Sequence, residues 1–501
     1  MSVLKKLAGE TLSYGFSTIL GRSLNFLLVL VHTKAFSPAE LGINVKLYSY
    51  IAIANILYTY GMETAFFRYA KENPEKYYRL ILTAVIGSTV FFTALLMGFA
   101  GPIMQHLGYP HQEQFLYWIA LILAIDSITS IPFARLRLEQ KTKKFVSAKI
   151  FSILVNIGLN LIFLLVFKPI HEGHWGVELQ ENFQHLYNPS IGAGYIFLAN
   201  LIANLTFFIW LKKELSDYRW EWDSAELYKL FVYAFPIMFM SLAAMSNLMF
   251  DRLLLEELLP AGFYPGRSSQ DALGIYGNCY KLSIFMSLAI QAFKYAAEPF
   301  FLGRVSKDNT KQNLALVTHW FIIICIFLWI GVSNNLFWLK GIFLKRPIYW
   351  EGIGIIPVLL LANLFLGVYY NISVWFKLKD KTYLGTLITL IGFAVTITGN
   401  VLFIPKFGYM ASAYSFLASA FVMTTLCLIS GQKYDPAPYR ISSAIFYIMV
   451  GGALIFISSS LKINNIHPFI LQNIGIVLFG ILVILKEFQW KNGKIFLDIN
   501  S

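Results

Sequence analysis

Charged residues are scarce in this chain, where Asp, Glu, Lys and Arg make up 13% of 501 residues. Soluble globular domains carry about 25% charged residues, so this composition excludes an ordinary soluble protein. Hydrophobic residues account for 57% of the chain and occur in runs long enough to cross a bilayer. The sequence therefore predicts a polytopic membrane protein.

Cysteine is also scarce, and Cys279, Cys325 and Cys427 all lie inside apolar runs. This arrangement excludes a disulfide framework. The chain lacks a glycine-rich phosphate-binding loop and an ATPase motif, so any energy source is an ion gradient or the substrate gradient itself. We therefore expect no cofactor.

The net charge of +13 suggests a nucleic-acid partner, but the basic residues lie between the apolar runs and form no single patch. Such spacing is typical of helices oriented by positive cytoplasmic loops. About 27 of the 40 Lys and Arg residues fall on the side that holds Lys5 and Lys6. We therefore predict cytoplasmic termini and no nucleic-acid partner. Lys340, Lys345 and Arg346 fall on the opposite side, and the sequence assigns them no role.

Apolar windows of about 19 residues predict about fourteen transmembrane helices and an all-α fold. The windows lie near residues 9–34, 41–70, 78–105, 113–134, 144–168, 190–212, 227–257, 272–303, 312–338, 350–376, 381–404, 409–430, 440–460 and 467–486.

An internal repeat organises these helices. The stretch from Lys46 to Phe66 recurs in the same register from Lys281 to Phe301. Each half holds six helices, so both halves enter the membrane in the same sense, as parallel repeats do. We predict one lobe over residues 1–216, a second over 217–436, and two additional helices with a cytoplasmic tail over 437–501. The two lobes would face each other across a central cleft.

Four segments resemble bacterial polysaccharide-biosynthesis flippases of the Wzx type, within the multidrug/oligosaccharidyl-lipid/polysaccharide exporter superfamily. They are ILGRSLNF at 19–26, FSPAELG at 36–42, YGMETAFFR at 60–68 and NLMFDRL at 247–253. The resemblance implies a transporter of the bacterial inner membrane in O-antigen or lipopolysaccharide biosynthesis. It implies an undecaprenyl-pyrophosphate-linked oligosaccharide as substrate, with membrane lipids and other polysaccharide-assembly membrane proteins as partners.

Three basic residues inside apolar runs are the first candidates to hold the pyrophosphate. Arg22 is close to mid-bilayer, where arginine is costly and normally faces a wet cavity. Its planar donors suit a pyrophosphate, although a pair with Glu10 or Asp126 is a structural alternative. Lys46 and Lys281 occupy equivalent repeat positions and would place two cations on opposite walls of the cleft, unless their stems snorkel to the headgroups.

The remaining candidates lie nearer the helix ends or are acidic. Arg252 and Lys294 are weaker pyrophosphate ligands, because snorkelling is easy near a helix end. Asp126 and Asp251 would couple transport to protons or sodium, or neutralise a nearby cation. Glu63 and Glu298 fall at the predicted cytoplasmic boundary and would form a gate, or anchor the helices there.

The outer loop near 169–189 is the place where an enzyme would need its catalytic groups. It offers only three acids, and its histidines lack metal-ligand spacing, so we predict neither a metal site nor an enzyme. A membrane polymerase or glycosyltransferase of the same pathway is the alternative from another class. A lipid II-type exporter and a multidrug cation exporter are the alternatives within the superfamily, although cationic drugs favour an acidic cleft.

Overall fold

The computed structural model describes residues 3–302, 310–379, 381–460, 468–491 and 494–497. The chain divides into two compact units. The first consists of Met1–Asn278 with Thr389–Ser415, and the second of Cys279–Ile388 with Phe416–Ser501. The division into lobes 1–216, 217–436 and 437–501 stays a prediction.

The helices up to Lys281 lie wholly or mostly in the first unit, which also includes Thr389–Ser415. They are α1 (Val3–Ala35), α2 (Pro38–Thr59), α3 (Met62–Tyr69), α4 (Pro74–Gly98), α5 (Ala100–His106), α6 (Glu113–Leu138), α7 (Thr142–Leu161), α8 (Lys168–His171), α9 (Val177–Phe183), α10 (Tyr195–Trp210), α11 (Lys212–Ser216), α12 (Ser224–Leu258) and α13 (Ser269–Lys281).

The remaining helices follow in chain order. They are α14 (Ile284–Leu302), α15 (Thr310–Asn334), α16 (Leu336–Phe343), α17 (Ile355–Ile372), α18 (Val374–Leu378), α19 (Thr382–Phe407), α20 (Tyr409–Tyr434), α21 (Ile441–Ser460) and α22 (Pro468–Glu487). Two short strands, β1 (Phe488–Lys491) and β2 (Lys494–Leu497), pair antiparallel after α22.

Every predicted window corresponds to at least one helix, so the all-α architecture is confirmed. Ten helices within the described ranges are long and apolar enough to cross a membrane. The chain is therefore a multi-pass membrane protein. The total of fourteen spans stays a prediction.

The predicted continuous helix over 41–70 is wrong, because the structure breaks it into α2 and α3. Tyr60 and Gly61 adopt left-handed backbone conformations, with φ of 32° and 78°. A side chain at Gly61 would meet the backbone oxygen of Ala234 on α12 at 2.7 Å. Glycine is therefore needed both for the turn and for the approach of α12.

The first turn of α2 has a complete capping box. The Ser37 side chain accepts a hydrogen bond from the Glu40 backbone N–H, and the Ser37 backbone N–H donates to the Glu40 carboxylate at 2.9 Å. Pro38 supplies a fixed φ in the first turn. These residues fix where α2 begins, and therefore how far Lys46 lies along it.

Inside the first unit, α2 packs against α12 on one side and against α6 on another. Its inward face includes Leu47 and Ile51, in a core shared with Ile119 and Leu123 of α6. In the second unit, α15 packs against α17, α21 and α22. The additional helices α21 and α22 thus pack on the second unit through their contacts with α15.

The loops at Gly108, Gln140 and Leu186 provide a test of orientation. Reporter fusions after Gly108 and Leu186 are expected to read as external, and a fusion after Gln140 as cytoplasmic, because Gln140 lies in the lysine- and arginine-rich connection. A paired phosphatase and fluorescent-protein reporter measures both states. A cytoplasmic signal at Leu186 would contradict the predicted orientation.

Candidate functional site

The side chain of Lys46 is only 1% exposed, and two glutamates of α12 surround its charge. Its Nζ atom lies 2.7 Å from Oε1 of Glu257 and 3.5 Å from Oε1 of Glu256. It also donates a hydrogen bond to the backbone oxygen of Leu107 at 3.4 Å. In this conformation the charge of Lys46 is therefore balanced by protein carboxylates from a second helix.

Tyr109 completes this cluster from the segment between α5 and α6. Its hydroxyl donates to both carboxylate oxygens of Glu256, at 2.8 and 2.9 Å, and Lys46 Nζ lies 5.4 Å from the centre of its ring. Burial and the neighbouring Glu256 charge raise the pKa of Tyr109, so its hydroxyl stays protonated and acts as a donor. We call Lys46, Tyr109, Glu256 and Glu257 the Lys46 cluster.

Helices α2 and α13 cross at close range beside the Lys46 cluster. A methyl group at Gly274 of α13 would overlap the backbone oxygen of Pro38 at the start of α2. A methyl group at Gly42 would overlap the backbone oxygen of Gln270, and one at Gly277 would overlap the side chain of Val45. Three glycines therefore bring α2 and α13 into backbone contact beside an ion-paired lysine.

The sequence analysis singled out Lys46 but missed Glu256 and Glu257. Both acids stand at the end of α12 in the run LLLEEL, one turn after Asp251 and Arg252. Two adjacent acids at the end of a long apolar helix indicate a partner cation. The sequence analysis instead related Lys46 to Lys281, because the two lysines occupy equivalent repeat positions. The binding of pyrophosphate by Lys46 stays a prediction.

Asp251 lies buried in the first unit among polar side chains of four helices. Its carboxylate accepts a hydrogen bond from the Tyr276 hydroxyl, and the backbone N–H of Arg252 donates to Oδ1 at 2.8 Å. Two further hydrogen bonds lie nearby, from Thr396 to Asn247 at 2.6 Å and from Ser412 to Asn400 at 2.8 Å. This carboxylate is thus held in a polar site within a membrane-spanning helix.

Asp126 occupies a separate polar site on α6. The Asn204 side chain donates to its Oδ1 atom at 2.9 Å. One turn earlier on α10, Asn200 donates to the Tyr48 hydroxyl at 3.2 Å. Asp126 and Asp251 therefore have different surroundings, and ion coupling by either stays a prediction.

The other predicted cations of the first unit have less enclosed positions. Arg22 is exposed on α1. Arg252 is partly buried, and its guanidinium lies 2.9 Å from the sulfur atom of Met249. Neither arginine belongs to the Lys46 cluster as defined by these contacts.

Candidates of the second unit occupy α13 and α14. Lys281 is partly buried at the end of α13. Lys294 is exposed on α14, 6.0 Å from the centre of the Tyr370 ring. The side chain of Glu298 lies outside the described residues. The meeting of Lys281 with Lys46 across one cleft stays a prediction.

Glu63, the other predicted gate residue, forms an ion pair with Arg137 of α6. Arg137 also lies 5.0 Å from the centre of the Phe67 ring. Arg68 lies 4.7 Å from the ring of Tyr233 on α12. These contacts tie α3 to α6 and α12 at the end opposite the Lys46 cluster.

The unassigned cations near the end of α16 pack against aromatic rings and backbone. Lys340 Nζ lies 4.6 Å from the centre of the Trp350 ring. Lys345 donates to the backbone oxygen of Gly341 at 3.4 Å. A cation over an indole is stabilised at a membrane boundary without any transport role.

The fold is that of known lipid and drug exporters. A structure of the lipid II flippase MurJ in an inward closed conformation superposes with a TM-score of 0.70 and 14% identity, covering 95% of this chain and 98% of that chain. An inward-facing multidrug resistance MATE family transporter of the MOP superfamily gives 0.62 and 13%, covering 88% and 99%. A mutant of the Vibrio cholerae MATE transporter VcmN gives 0.55 and 13%, covering 86% and 98%.

Sequence comparison gives the family. No curated protein sequence matches the chain. The family described as polysaccharide biosynthesis protein matches residues 33–329, a stretch that includes the Lys46 cluster, Asp126 and Asp251. This match extends over more than half of the chain, and the chain belongs to the polysaccharide biosynthesis protein family.

Proposed function

We propose that this protein is a flippase that moves an undecaprenyl-pyrophosphate-linked oligosaccharide repeat unit across the bacterial inner membrane by alternating access. The family match over residues 33–329 carries the proposal, because it connects a membrane exporter fold with polysaccharide biosynthesis. Membrane lipids surround the transporter, and other polysaccharide-assembly membrane proteins supply its substrate and use its product.

Positive side chains within the membrane support an anionic cargo. Arg22, Lys46, Lys281, Arg252 and Lys294 are the proposed pyrophosphate ligands. A charged side chain in a membrane helix is costly and normally marks a substrate or ion path. The proposed role of these cations is to attract the anionic pyrophosphate away from the headgroup region.

The contacts of Lys46 support a switch between protein and substrate partners. Its ammonium group has carboxylate partners at 2.7 and 3.5 Å, and both belong to α12. If α2 and α12 separate at this end, Lys46 loses those partners and a pyrophosphate can replace them. Charge is then balanced in both conformations, which avoids the cost of a buried unpaired lysine.

Asp251 is the stronger of the two proposed coupling acids. Its buried carboxylate is held by Tyr276 and stands beside Asn247 and Thr396 of one polar cluster. Gain or loss of a cation there would change the packing between α12, α13, α19 and α20. Glu63, paired with Arg137, is the proposed gate residue at the opposite end, with Glu298 as its repeat counterpart.

The proposed reaction involves no covalent chemistry. A flippase admits the lipid-linked sugar, holds its charged head while the conformation changes, and releases it on the other side. In this proposal the protein is not an enzyme, and the sugar chain is completed or joined by other proteins.

The decisive experiment compares the lipid-linked glycans of a deletion strain with those of its parent. A flippase defect is expected to leave complete repeat units on lipid at the cytoplasmic face, because synthesis continues while transport stops. Glycans are extracted for mass analysis, and their accessibility to an external glycosidase is measured in intact spheroplasts. A plasmid-borne copy of the gene is the control.

Other patterns would contradict the proposal in different ways. Complete single units on the outer face would indicate a polymerase. Truncated units would indicate a glycosyltransferase. Accumulation of peptidoglycan precursor with normal polysaccharide would indicate a lipid II-type exporter.

A further inference from the structure

A mainly apolar cavity of about 320 Å³ lies within the second unit, among α15, α17, α20 and α21. Its walls come from residues such as Ile322, Val368 and Leu428, and its polar end is formed by His319, Tyr439 and Arg440. The volume is in the range of ligand pockets, about 300–1,000 Å³. Its lining residues include no member of the Lys46 cluster and none of the proposed pyrophosphate ligands.

Apolar side chains of two membrane-spanning helices are exposed at the rim of this cavity. Phe421 of α20 is 51% exposed and Ile445 of α21 is 57% exposed, and both line the cavity. Exposed apolar side chains of membrane-spanning helices contact lipid chains. A hydrocarbon chain can therefore enter between α20 and α21 without crossing a polar region.

The polar end of the cavity is a buried network around Glu487, the last residue of α22. The Tyr447 hydroxyl donates to Oε1 of Glu487 at 2.6 Å, and Arg440 Nη1 lies 3.4 Å from Oε2. His319 Nε2 lies 2.9 Å from the same Oε1 atom. His319 is thus a buried polar side chain that lines the cavity and contacts this network.

Several basic side chains lie on the helices that form this end, and two of them pair with Asp435. Lys486 packs over Phe446 and Tyr447 of α21 at 4.2 and 4.9 Å. Lys311 of α15 lies 2.7 Å from Asp435, which also pairs with Lys379 at 3.7 Å. Lys433 is exposed at the end of α20. The predicted orientation places this end in the cytoplasmic leaflet, where anionic headgroups attract clustered basic side chains.

We propose that this cavity binds an anionic phospholipid of the surrounding bilayer, with one acyl chain among α15, α17, α20 and α21 and its phosphate beside Arg440 and Lys486. The occupant is a bilayer phospholipid and not the isoprenoid tail of the cargo. The additional helix α21 forms one wall, so the bound lipid would lie between α21 and helices α15, α17 and α20 of the second unit. The apolar walls would hold the acyl chain of this ligand, and the basic rim would hold its phosphate.

The test uses the full-length protein in phosphatidylcholine nanodiscs that contain phosphatidylglycerol with a photoreactive diazirine in one acyl chain. Irradiation is expected to label peptides of α20 and α21. Ala444→Phe fills the cavity without changing charge and is expected to remove that labelling. Ala453→Phe, at an exposed position of the same helix, is the matched control and is expected to label normally.

A second comparison tests the headgroup. Arg440→Gln is expected to lower the preference for phosphatidylglycerol over a phosphatidylcholine probe by about fivefold, the factor for about 1 kcal/mol per cationic side chain. Lys340→Gln, a basic side chain outside the cavity, is the control. Equal labelling by both probes in the unaltered protein would overturn the anionic preference, and unchanged labelling in Ala444→Phe would overturn the site itself.

Competition distinguishes the two possible sources of the chain. Unlabelled phosphatidylglycerol is expected to displace the probe, whereas undecaprenyl pyrophosphate at the same concentration is not. Displacement by undecaprenyl pyrophosphate alone would assign the cavity to the cargo and contradict the proposal. This result is independent of the flippase experiment, which reads accumulated glycans and not lipid contacts.

Discussion

Replacing Lys46 with glutamine is expected to abolish surface polysaccharide and to lower the stability of the protein. The change leaves the largely buried Glu256 without its cation, and loss of one partner of a buried ion pair costs about 3–5 kcal/mol. Glu257 adds little, because its side chain is 60% exposed and surface ion pairs contribute about 0–1 kcal/mol. Lipopolysaccharide gels and thermal unfolding of the purified protein measure the two effects.

A double variant separates the structural role of Lys46 from a role in binding pyrophosphate. Lys46→Gln with Glu256→Gln removes the unpaired carboxylate, so we expect most of the lost stability to return. If Lys46 also binds the cargo, export stays blocked in the stable double variant. Recovery of full export by the double variant would show that Lys46 serves only as an ion-pair partner, and would remove it from the proposed pyrophosphate ligands.

Replacing Gly274 with alanine is expected to force α13 away from α2. The new methyl group would overlap the Pro38 backbone oxygen, and backbone cannot give way as the end of a flexible side chain can. Overpacking of this kind costs about 1–3 kcal/mol. We expect a lower melting temperature, loss of export, and faster thiol labelling of a cysteine placed at Val45, which packs against Gly277 in the same crossing.

Gly87→Ala is the matched control for this substitution. Gly87 lies on an exposed face of α4, in the same unit, and a methyl group there meets no atom within 4 Å. Alanine in a helix interior is about 1 kcal/mol more favourable than glycine, so this variant is expected to be equally or more stable. The three native cysteines are buried and give little background labelling. Wild-type melting and labelling in Gly274→Ala would show that the crossing does not depend on glycine.

The helix boundaries illustrate what can be predicted from local sequence information. Apolar windows located a helix in every predicted range, because crossing a bilayer requires a run of apolar residues that is visible without tertiary structure. The break at Tyr60 and Gly61 was missed, since glycine is common inside membrane helices. The structure shows the left-handed turn there, with the Ala234 backbone oxygen 2.7 Å from where a side chain of residue 61 would begin.

The partners of the charged residues show what the sequence could not provide. Lys46 was recognisable from its repeat position, but Glu257 lies 211 residues away and its contact depends on how α12 faces α2. The same is true of Glu487, which meets His319, Arg440 and Tyr447 only through the docking of three helices.

The sequence by itself determined that this chain crosses a membrane many times, that the stretch from Lys46 to Phe66 recurs from Lys281 to Phe301, and that a few cations lie within apolar runs. These properties depend on composition and on spacing along one helix. The tertiary structure alone decided which carboxylates neutralise Lys46, where glycines let α2 and α13 touch, and where α21 leaves a cavity beside α15. Those features arise from distances between helices, because electrostatic attraction and steric overlap act through space and not along the chain.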